Sequence, residues 1–248
     1  MPNPRFVPPS RSLRAKLCTG AVLLVPLAAG VLLCQPPRAA AESQRLPPPA
    51  VDVRPGEAHG PQTAVLAGGC FWGVQGVFEH VRGVARVVSG YAGGTTKTPD
   101  YESVSTGATG HAESVQITYD PSQISYGEIL RIFFSVALDP TEVNQQGPDW
   151  GTQYRSDIFF ATPEQERVAR AYIAQLDQAH AFSRPIATRV DPLRGFYPAE
   201  AYHQDYLVRH PDNPYIAVND LPKVRDLQRL FPESYVEQPT LALRSPAS

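Results

Sequence analysis

One short stretch of the chain carries residue types suited to nucleophilic chemistry. Cys70 is preceded by Gly68 and Gly69 and followed by the aromatic pair Phe71 and Trp72. A thiolate is a strong nucleophile whereas a thiol is not, and the free N–H groups at a helix start favour the thiolate. Glycines allow backbone conformations that other residues avoid. The stretch therefore indicates a reactive thiol, and the alternative is a small cysteine buried in a core.

The segments on either side of Cys70 predict a strand and a helix. Thr63–Ala67 is a short, mostly apolar run of strand length. After the cysteine, apolar residues recur with the i, i+3, i+4, i+7 spacing of an amphipathic helix at Val74, Val77, Phe78 and Val81. We therefore expect Cys70 at a strand-to-helix turn.

The rest of the chain mixes strand and helix patterns. Strands are expected over Ala85–Tyr91, Ala112–Tyr119, Asp157–Ala161 and Ile186–Val190, and helices over Tyr126–Val136 and Pro163–Ala179. A Gly- and Thr-rich loop is expected over Ala92–Gly110. Because strands and helices do not alternate strictly, the pattern predicts an α+β domain, a two-layer sandwich of a mixed β-sheet with packed helices.

The amino-terminal segment, residues 1–41, has the features of an export signal. It contains five basic residues and no acid, and Leu17–Cys34 is an uncharged run rich in Leu, Val and Ala. Three alanines at 39–41 form the small-residue pattern for cleavage before Glu42. The segment predicts an exported protein, periplasmic or otherwise extracytoplasmic, and an uncleaved membrane anchor is the alternative.

The remaining chain divides by composition into three parts. A Pro-rich linker is expected over residues 42–61, a single folded domain over residues 62–236 and a loose tail over residues 237–248. Without residues 1–41 the chain has 17 basic and 24 acidic residues, a formal charge of −7. Such an acidic chain lacks the basic surface that nucleic-acid binding requires, so no nucleic-acid partner is predicted.

Cysteine and histidine usage limits the kinds of site that the chain can build. Cys18 and Cys34 both lie in the export segment, so Cys70 is alone after cleavage and no structural disulfide forms. The run His111-Ala112-Glu113 matches the H-x-E of zinc deaminases, but the P-C-x-x-C that completes that signature is absent. The other histidines are scattered without metal-ligand spacing, so no metal site is predicted.

Four sequence blocks, in this order, resemble the A-type peptide methionine sulfoxide reductases. They are GCFWG at 69–73, TGHAE at 109–113, GTQYRS at 151–156 with Asp149 before it, and YHQDYL at 202–207. The resemblance implies reduction of methionine sulfoxide, free or in proteins, to methionine, with preference for the S epimer. It also implies that no metal or organic cofactor is needed.

The resemblance further implies roles for four polar residues, three of them in these blocks and the fourth, Tyr101, before the second block. Cys70 would attack the sulfoxide sulfur and emerge as a sulfenic acid. Glu113 would donate a proton to the departing oxygen, since a carboxyl on the apolar face of a strand is desolvated and keeps its proton. Tyr101 and Tyr154 would hydrogen-bond the sulfoxide oxygen through their hydroxyl groups.

Three further residues are assigned to substrate binding by the same match. Phe71 and Trp72 would form the apolar wall that receives the S-methyl group, and Asp149 would order the loop beside the site. Many relatives end in a tail whose cysteines reduce the sulfenic acid, but Pro211–Tyr235 contains no cysteine. A monomer recycled by an external thiol, thioredoxin-like or small, is therefore expected.

Two other functions stay open at this level. A Cys–His hydrolase would use His111 or His203 as the base for Cys70. A non-catalytic exported binding module would hold its ligand on Phe71 and Trp72, with Cys70 merely buried.

Overall fold

The computed structural model describes residues 43–53, 60–95, 97 and 99–243. Its strands β1 to β8 span Gln62–Gly68, Val84–Ala92, Ala112–Tyr119, Gln145–Gln146, Asp149–Trp150, Ser156–Phe160, Arg189–Pro192 and Phe196–Pro198. Six strands form one sheet in the order β7-β6-β1-β3-β2-β8, and β4 pairs with β5. In the large sheet β6 and β7 run parallel and the other neighbours run antiparallel, so the sheet is mixed.

The helices pack on this sheet and enclose one main core. Helices α1 to α6 span Phe71–Glu79, Tyr101–Ser105, Tyr126–Ile132, Pro163–Gln178, Tyr206–Arg209 and Leu221–Leu230. Short 3-10 turns lie at Thr152–Tyr154 and Ala201–His203, and π-helical turns at Phe133–Ala137 and Ile216–Asp220. The α+β fold of a mixed sheet with packed helices, predicted from the sequence, is confirmed.

The apolar stripe of α1 anchors the helix that begins after Cys70. Val74, Val77 and Phe78 are each at most 1% exposed and belong to the main core. Burying a large apolar side chain stabilises a fold by about 1.5–3 kcal/mol, so these contacts hold the helix firmly against the sheet. The strand-to-helix turn predicted at Cys70 forms between β1 and α1.

Two elements differ from the sequence prediction for local reasons. The loop predicted over residues 92–110 contains α2, because Asp100 accepts a hydrogen bond from Ser103 N–H and Ser103 Oγ accepts one from Asp100 N–H. The strand predicted from Ile186 begins only at Arg189. Ala187 N–H donates to Pro140 O at 2.7 Å, outside the sheet, which delays the start of β7.

The amino-terminal part of the described chain packs closely on α4, whereas a weakly ordered linker was expected. Leu46 is buried in the main core, and Tyr172 Oη donates to Pro47 O at 2.8 Å. Gln175 Nε2 donates to Pro48 O at 2.9 Å. The Pro-rich composition leaves carbonyl oxygens free to accept hydrogen bonds, and α4 supplies the donors.

The predicted export signal, residues 1–41, lies outside the described residues, as do residues 54–59 of the predicted linker and residues 244–248 of the predicted tail. Within the described ranges, no helix combines the length and the hydropathy that a membrane crossing would require.

The carboxy-terminal segment, residues 237–243, also packs on the domain, whereas a loose tail was expected. Thr240 N–H donates to Glu79 O at 2.8 Å, and Ala242 N–H donates to Asp205 Oδ1 at 2.7 Å. Ala242 is buried. The segment therefore covers the end of α1 that is remote from Cys70.

Glu79, in the last turn of α1, gives this region a pH-dependent stability. Its side chain is fully buried, and burial, with the neighbouring Asp205 carboxylate, raises its pKa to about 9. Ionising it in the folded protein is therefore unfavourable. Its contribution to stability is complete below its unfolded-state pKa of about 4.5 and is lost progressively as the pH rises toward 9.

Replacing Glu79 with Gln should remove this pH dependence. We expect the difference in free energy of unfolding, Glu79→Gln minus wild type, to grow in favour of the variant from about pH 5 to about pH 9. Urea titrations at several pH values measure it. Glu237→Gln, the same change at an exposed position of the carboxy-terminal segment, should show no such growth. A constant Glu79→Gln difference across this pH range would contradict the assignment.

Candidate active site

The backbone around Cys70 requires glycine before it. Gly69 has φ +88°, a conformation that side chains disfavour, and a Cβ there would clash with Gln146. Cys70 then caps the start of α1. The two glycines of the sequence motif thus fit the sharp turn between β1 and α1.

The register of the sheet brings an acid to this turn. Leu66 of β1 pairs with Val115 of β3, so two residues further along Gly68 comes level with Glu113. Glu113 is 3% exposed, and its Oε2 accepts a hydrogen bond of 3.0 Å from Phe71 N–H. The carboxyl predicted to share the apolar face of β3 lies at the first turn of α1.

A cavity of about 210 Å³ opens beside Cys70. The structure brings all seven residues proposed from the sequence to its wall, together with one that the sequence did not indicate. They are Cys70, Phe71, Trp72, Tyr101, Glu113, Asp149, Tyr154 and Tyr215. Ligand pockets for drug-sized molecules measure about 300–1,000 Å³, so this cavity suits a side chain better than a large cofactor.

Burial keeps the Glu113 carboxyl protonated near neutral pH. Desolvation raises its pKa to about 8, and the carboxylates of Asp149 and Asp220 add to the effect. The hydrogen bond from Phe71 N–H lowers the pKa of Glu113, but by less than burial raises it. Glu113 therefore has the protonation state that a general acid needs at neutral pH.

The resting state of Cys70 differs from the sequence expectation. The helix start was expected to favour the thiolate, and Trp72 N–H does lower the thiol pKa. Burial, followed by the charges of Glu113 and Asp220, nevertheless raises the pKa of Cys70 well above its ordinary value. Desolvation outweighs the helix N–H groups because the side chain is only 8% exposed. The free site therefore holds a thiol.

Tyr101 and Tyr154 line the cavity from two different short helical elements. Tyr101 begins α2, where its N–H donates to Glu200 Oε1 at 2.9 Å. Tyr154 ends the 3-10 turn before β6, and the buried side chain of Arg155 holds that turn by donating to Thr152 O at 3.0 Å. Burial raises the pKa of both phenols, so both are hydrogen-bond donors at neutral pH.

The apolar wall is fixed by aromatic packing. Trp72 stacks on Tyr206 with ring centroids 3.9 Å apart, and its Nε1 donates to His203 Nδ1 at 3.2 Å. Phe71 is 1% exposed and packs against His203 with centroids 5.1 Å apart. These contacts hold the two rings in place without a bound ligand.

The histidines do not support a Cys–His hydrolase. Neither His111 nor His203 lines the cavity that contains Cys70. His111 Nδ1 accepts from Gly94 N–H at 3.2 Å, and His203 Nδ1 accepts from Trp72. No cluster of three potential metal ligands occurs among the residues that the structure describes.

Tyr215 is the cavity residue that the sequence did not reveal. Its hydroxyl donates a short hydrogen bond to Asp149 Oδ2. It precedes the π-helical turn Ile216–Asp220. Its proximity to Asp149 depends on how the chain around this π-helical turn folds back over α1, and no local spacing encodes that path.

The fold and the cavity define a thiol enzyme of the α+β class, and comparisons with known proteins identify which one. A family model described as peptide methionine sulfoxide reductase matches residues 62–234. Peptide methionine sulfoxide reductase MsrA 2 of Mesorhizobium japonicum is 57% identical over 186 residues, which cover 75% of this chain and 95% of the relative. Its namesake in Synechocystis is 54% identical over 198 residues, covering 79% and 92%.

Solved structures agree with this comparison. The reduced form of Mxr1 from Saccharomyces cerevisiae is 31% identical with a TM-score of 0.55, covering 66% of this chain and 92% of that one. Methionine sulfoxide reductase A of Corynebacterium diphtheriae is 36% identical with a TM-score of 0.54, covering 62% and 77%. The chain belongs to the A-type peptide methionine sulfoxide reductase family. Its activity is the reduction of methionine sulfoxide to methionine, which repairs oxidised proteins.

The pH dependence of this activity should reflect Glu113. We expect the reactive form to carry a thiolate on Cys70 and a proton on Glu113. As the pH rises toward 8, the thiolate fraction grows about tenfold per unit and kcat/KM should rise with it. Above about pH 8 the loss of the Glu113 proton offsets that growth, so kcat/KM should level off.

Glu113→Gln provides the control for this profile. Its kcat/KM should be about 10²- to 10⁴-fold lower, the usual contribution of a general acid, and should continue to rise above pH 8. Steady-state kinetics with free methionine sulfoxide measure both profiles. A plateau at the same pH in Glu113→Gln would show that another group donates the proton.

Proposed function

We propose that Cys70 is the nucleophile that reduces methionine-S-sulfoxide, free or in proteins. The convergence of Cys70, Glu113 and the hydroxyls of Tyr101 and Tyr154 on one small cavity carries this proposal. Attack of the Cys70 sulfur on the sulfoxide sulfur transfers two electrons to the substrate. The attack forms a bond between the two sulfurs as the protonated oxygen leaves as water. A water then attacks the Cys70 sulfur, and the bond between the sulfurs breaks with its electron pair on the substrate, which gives methionine and a sulfenic acid on Cys70.

The polar residues assist by stabilising the departing oxygen. Expulsion of oxygen from the substrate sulfur requires its protonation or strong hydrogen bonding as the bond breaks. Glu113, buried and protonated near neutrality, supplies the proton, and Tyr101 and Tyr154 supply neutral hydroxyl donors. Asp149, held by Tyr215, orders the loop at the rim of the cavity.

Phe71 and Trp72 receive the S-methyl group of the substrate. Their packing against His203 and Tyr206 provides a preformed apolar surface. The sulfoxide sulfur is chiral, so a site that fixes its oxygen, its methyl group and the attacking sulfur accepts one epimer. The assignment of the S epimer follows the family.

An external thiol completes the cycle, and a thioredoxin-like protein or a small thiol suits this role. Cys70 is the one cysteine in residues 42–248. A thiol R–SH attacks the sulfenic acid to give a mixed disulfide, Cys70–S–S–R, and water. A second thiol then releases Cys70 and the oxidised reductant, R–S–S–R′.

Single-turnover chemistry tests the nucleophile. Reductant-free protein mixed with excess methionine sulfoxide should release about one methionine per chain and gain the mass of one oxygen on Cys70. A reagent specific for sulfenic acids should then label Cys70. Chromatography of the released methionine and intact-protein mass spectrometry provide the two measurements.

The variant Cys70→Ser is the matched control for this experiment. It should keep the fold, because the change hardly alters side-chain volume, and should release no methionine. Continued turnover without a thiol would disprove the one-cysteine cycle. A disulfide-linked dimer in place of the sulfenic acid would mean that the Cys70 thiol of one chain reduces the sulfenic acid of another.

We further propose that the enzyme is exported and acts outside the cytoplasm. The basic, then apolar, then small-residue order of residues 1–41 supports this location. The mature protein recovered from the periplasm should begin at Glu42, as intact mass would reveal. Retention of the full mass in the membrane fraction would favour the anchored alternative, and recovery from the cytoplasm would contradict export.

A further inference from the structure

A buried ion pair lies beside the first turn of α1, and its basic member has no role in the chemistry described so far. Asp220, the last residue of the π-helical turn, is fully buried. Its Oδ1 accepts a hydrogen bond of 3.2 Å from Lys223 Nζ, and its Oδ2 has no partner among the described residues. The Lys223 side chain is 23% exposed. Solvent therefore screens these two charges less than it screens a surface pair.

Gly73 brings this pair against the helix that carries the thiol. Gly73 is the third residue after Cys70, and a Cβ there would clash with Asp220 Oδ1 and lie 3.0 Å from Lys223 Nζ. The absence of a side chain thus allows both charges to approach the backbone of the first helical turn. This contact gives a physical role to the last glycine of the GGCFWG stretch.

Several titratable groups act on Cys70 from the elements around it. Glu113 acts from β3, Asp220 from the π-helical turn and Lys223 from α6. The phenols of Tyr101, Tyr154 and Tyr215 also interact electrostatically with the thiol. Asp149 acts on Glu113, and Lys223 in turn acts on Asp149. Within this group Lys223 supplies a positive charge.

We propose that Asp220 and Lys223 are positioning residues whose opposite charges act on Cys70 in opposite senses, Asp220 keeping the proton on sulfur and Lys223 favouring its loss. This rests on the proposed role of Cys70 as the nucleophile. The geometry carries it: one buried carboxylate and one half-buried ammonium lie within 3.0 Å of where a Cβ of Gly73 would stand, in the helical turn that Cys70 caps. The electrostatic effects on the thiol pKa have the same two signs.

Such a pair has a chemical use in an enzyme with one cysteine in its catalytic domain. Oxidants attack the thiolate faster than the thiol, and over-oxidation beyond the sulfenic acid is irreversible for most proteins. Asp220 keeps the resting sulfur in its less reactive form. Lys223 limits that effect so that the thiolate remains accessible for the reaction.

The rate of alkylation of Cys70 by iodoacetamide, followed across pH, tests this proposal without depending on turnover. In Lys223→Met the midpoint of the alkylation profile should rise by about one pH unit, and in Asp220→Asn it should fall by about the same amount. Lys223→Arg, which keeps the positive charge, should stay close to wild type. Opposite shifts are the decisive result, because loss of a purely structural ion pair would move both variants in the same direction.

Matched controls come from the same helix. Asp226 and Arg229 form an ion pair with the same i, i+3 spacing in α6 on a more exposed surface, so Asp226→Asn and Arg229→Met should leave the midpoint unchanged. If Asp220→Asn fails to fold, the comparison of Lys223→Met with Lys223→Arg decides alone. An unshifted Lys223→Met midpoint would overturn the proposal.

The outcome is separable from that of the proposed function. Turnover of methionine sulfoxide by the wild-type protein is measured independently of alkylation. A wild type that alkylates but releases no methionine would reject Cys70 as the nucleophile, while the order of the midpoints would still report the action of the ion pair.

Discussion

The hydrogen bond from Phe71 N–H to Glu113 joins the helix that carries the nucleophile to the strand that carries the acid. It spans two parts of the chain that the pairing of β1 with β3 has already brought level. Because both Cys70 and Glu113 are then removed from water, two negative charges at this point are strongly unfavourable. Near neutral pH the free site therefore holds a proton on each group, and the proposed reaction needs Cys70 to lose its proton while Glu113 keeps its own.

The other components of the site are added to this pair by short, irregular elements. The two-stranded pair of β4 and β5 carries Asp149, a 3-10 turn carries Tyr154, and α2 begins with Tyr101. Tyr215, just before the π-helical turn Ile216–Asp220, then completes the wall of the cavity. The sheet thus places Cys70 and Glu113, and short irregular elements supply the phenols that are proposed to contact the substrate oxygen.

Much of this arrangement could be predicted from local patterns. The apolar period around Val77 predicted α1, and strand alternation predicted that Glu113 lies on the apolar face of β3. The family resemblance predicted that Cys70, Tyr101 and Tyr154 belong to one site, and in the structure all three line one cavity. These features are encoded within a few residues of each other or in recognisable blocks.

Other features depend on contacts between distant parts of the chain and could not be predicted. The thiol pKa follows from the depth of burial, which no helix-start pattern contains. Tyr215 contacts Asp149 only after the chain around the π-helical turn Ile216–Asp220 has folded over α1. Pro47 and Pro48 looked like linker residues because proline composition does not reveal that α4 offers donors to their carbonyl oxygens.

The small size of the cavity has a consequence for the kinetic order of the reaction. Cys70 lies beside a cavity of about 210 Å³ and is only 8% exposed. The oxidised methionine and the reducing thiol must therefore occupy this same cavity in turn. A ternary complex of enzyme, sulfoxide and reductant would need both reactants in this one cavity, so we do not expect it to form. The two half-reactions follow a ping-pong scheme. In such a scheme, a reactant in excess also binds the form of the enzyme with which it cannot react, and there it competes with the other reactant.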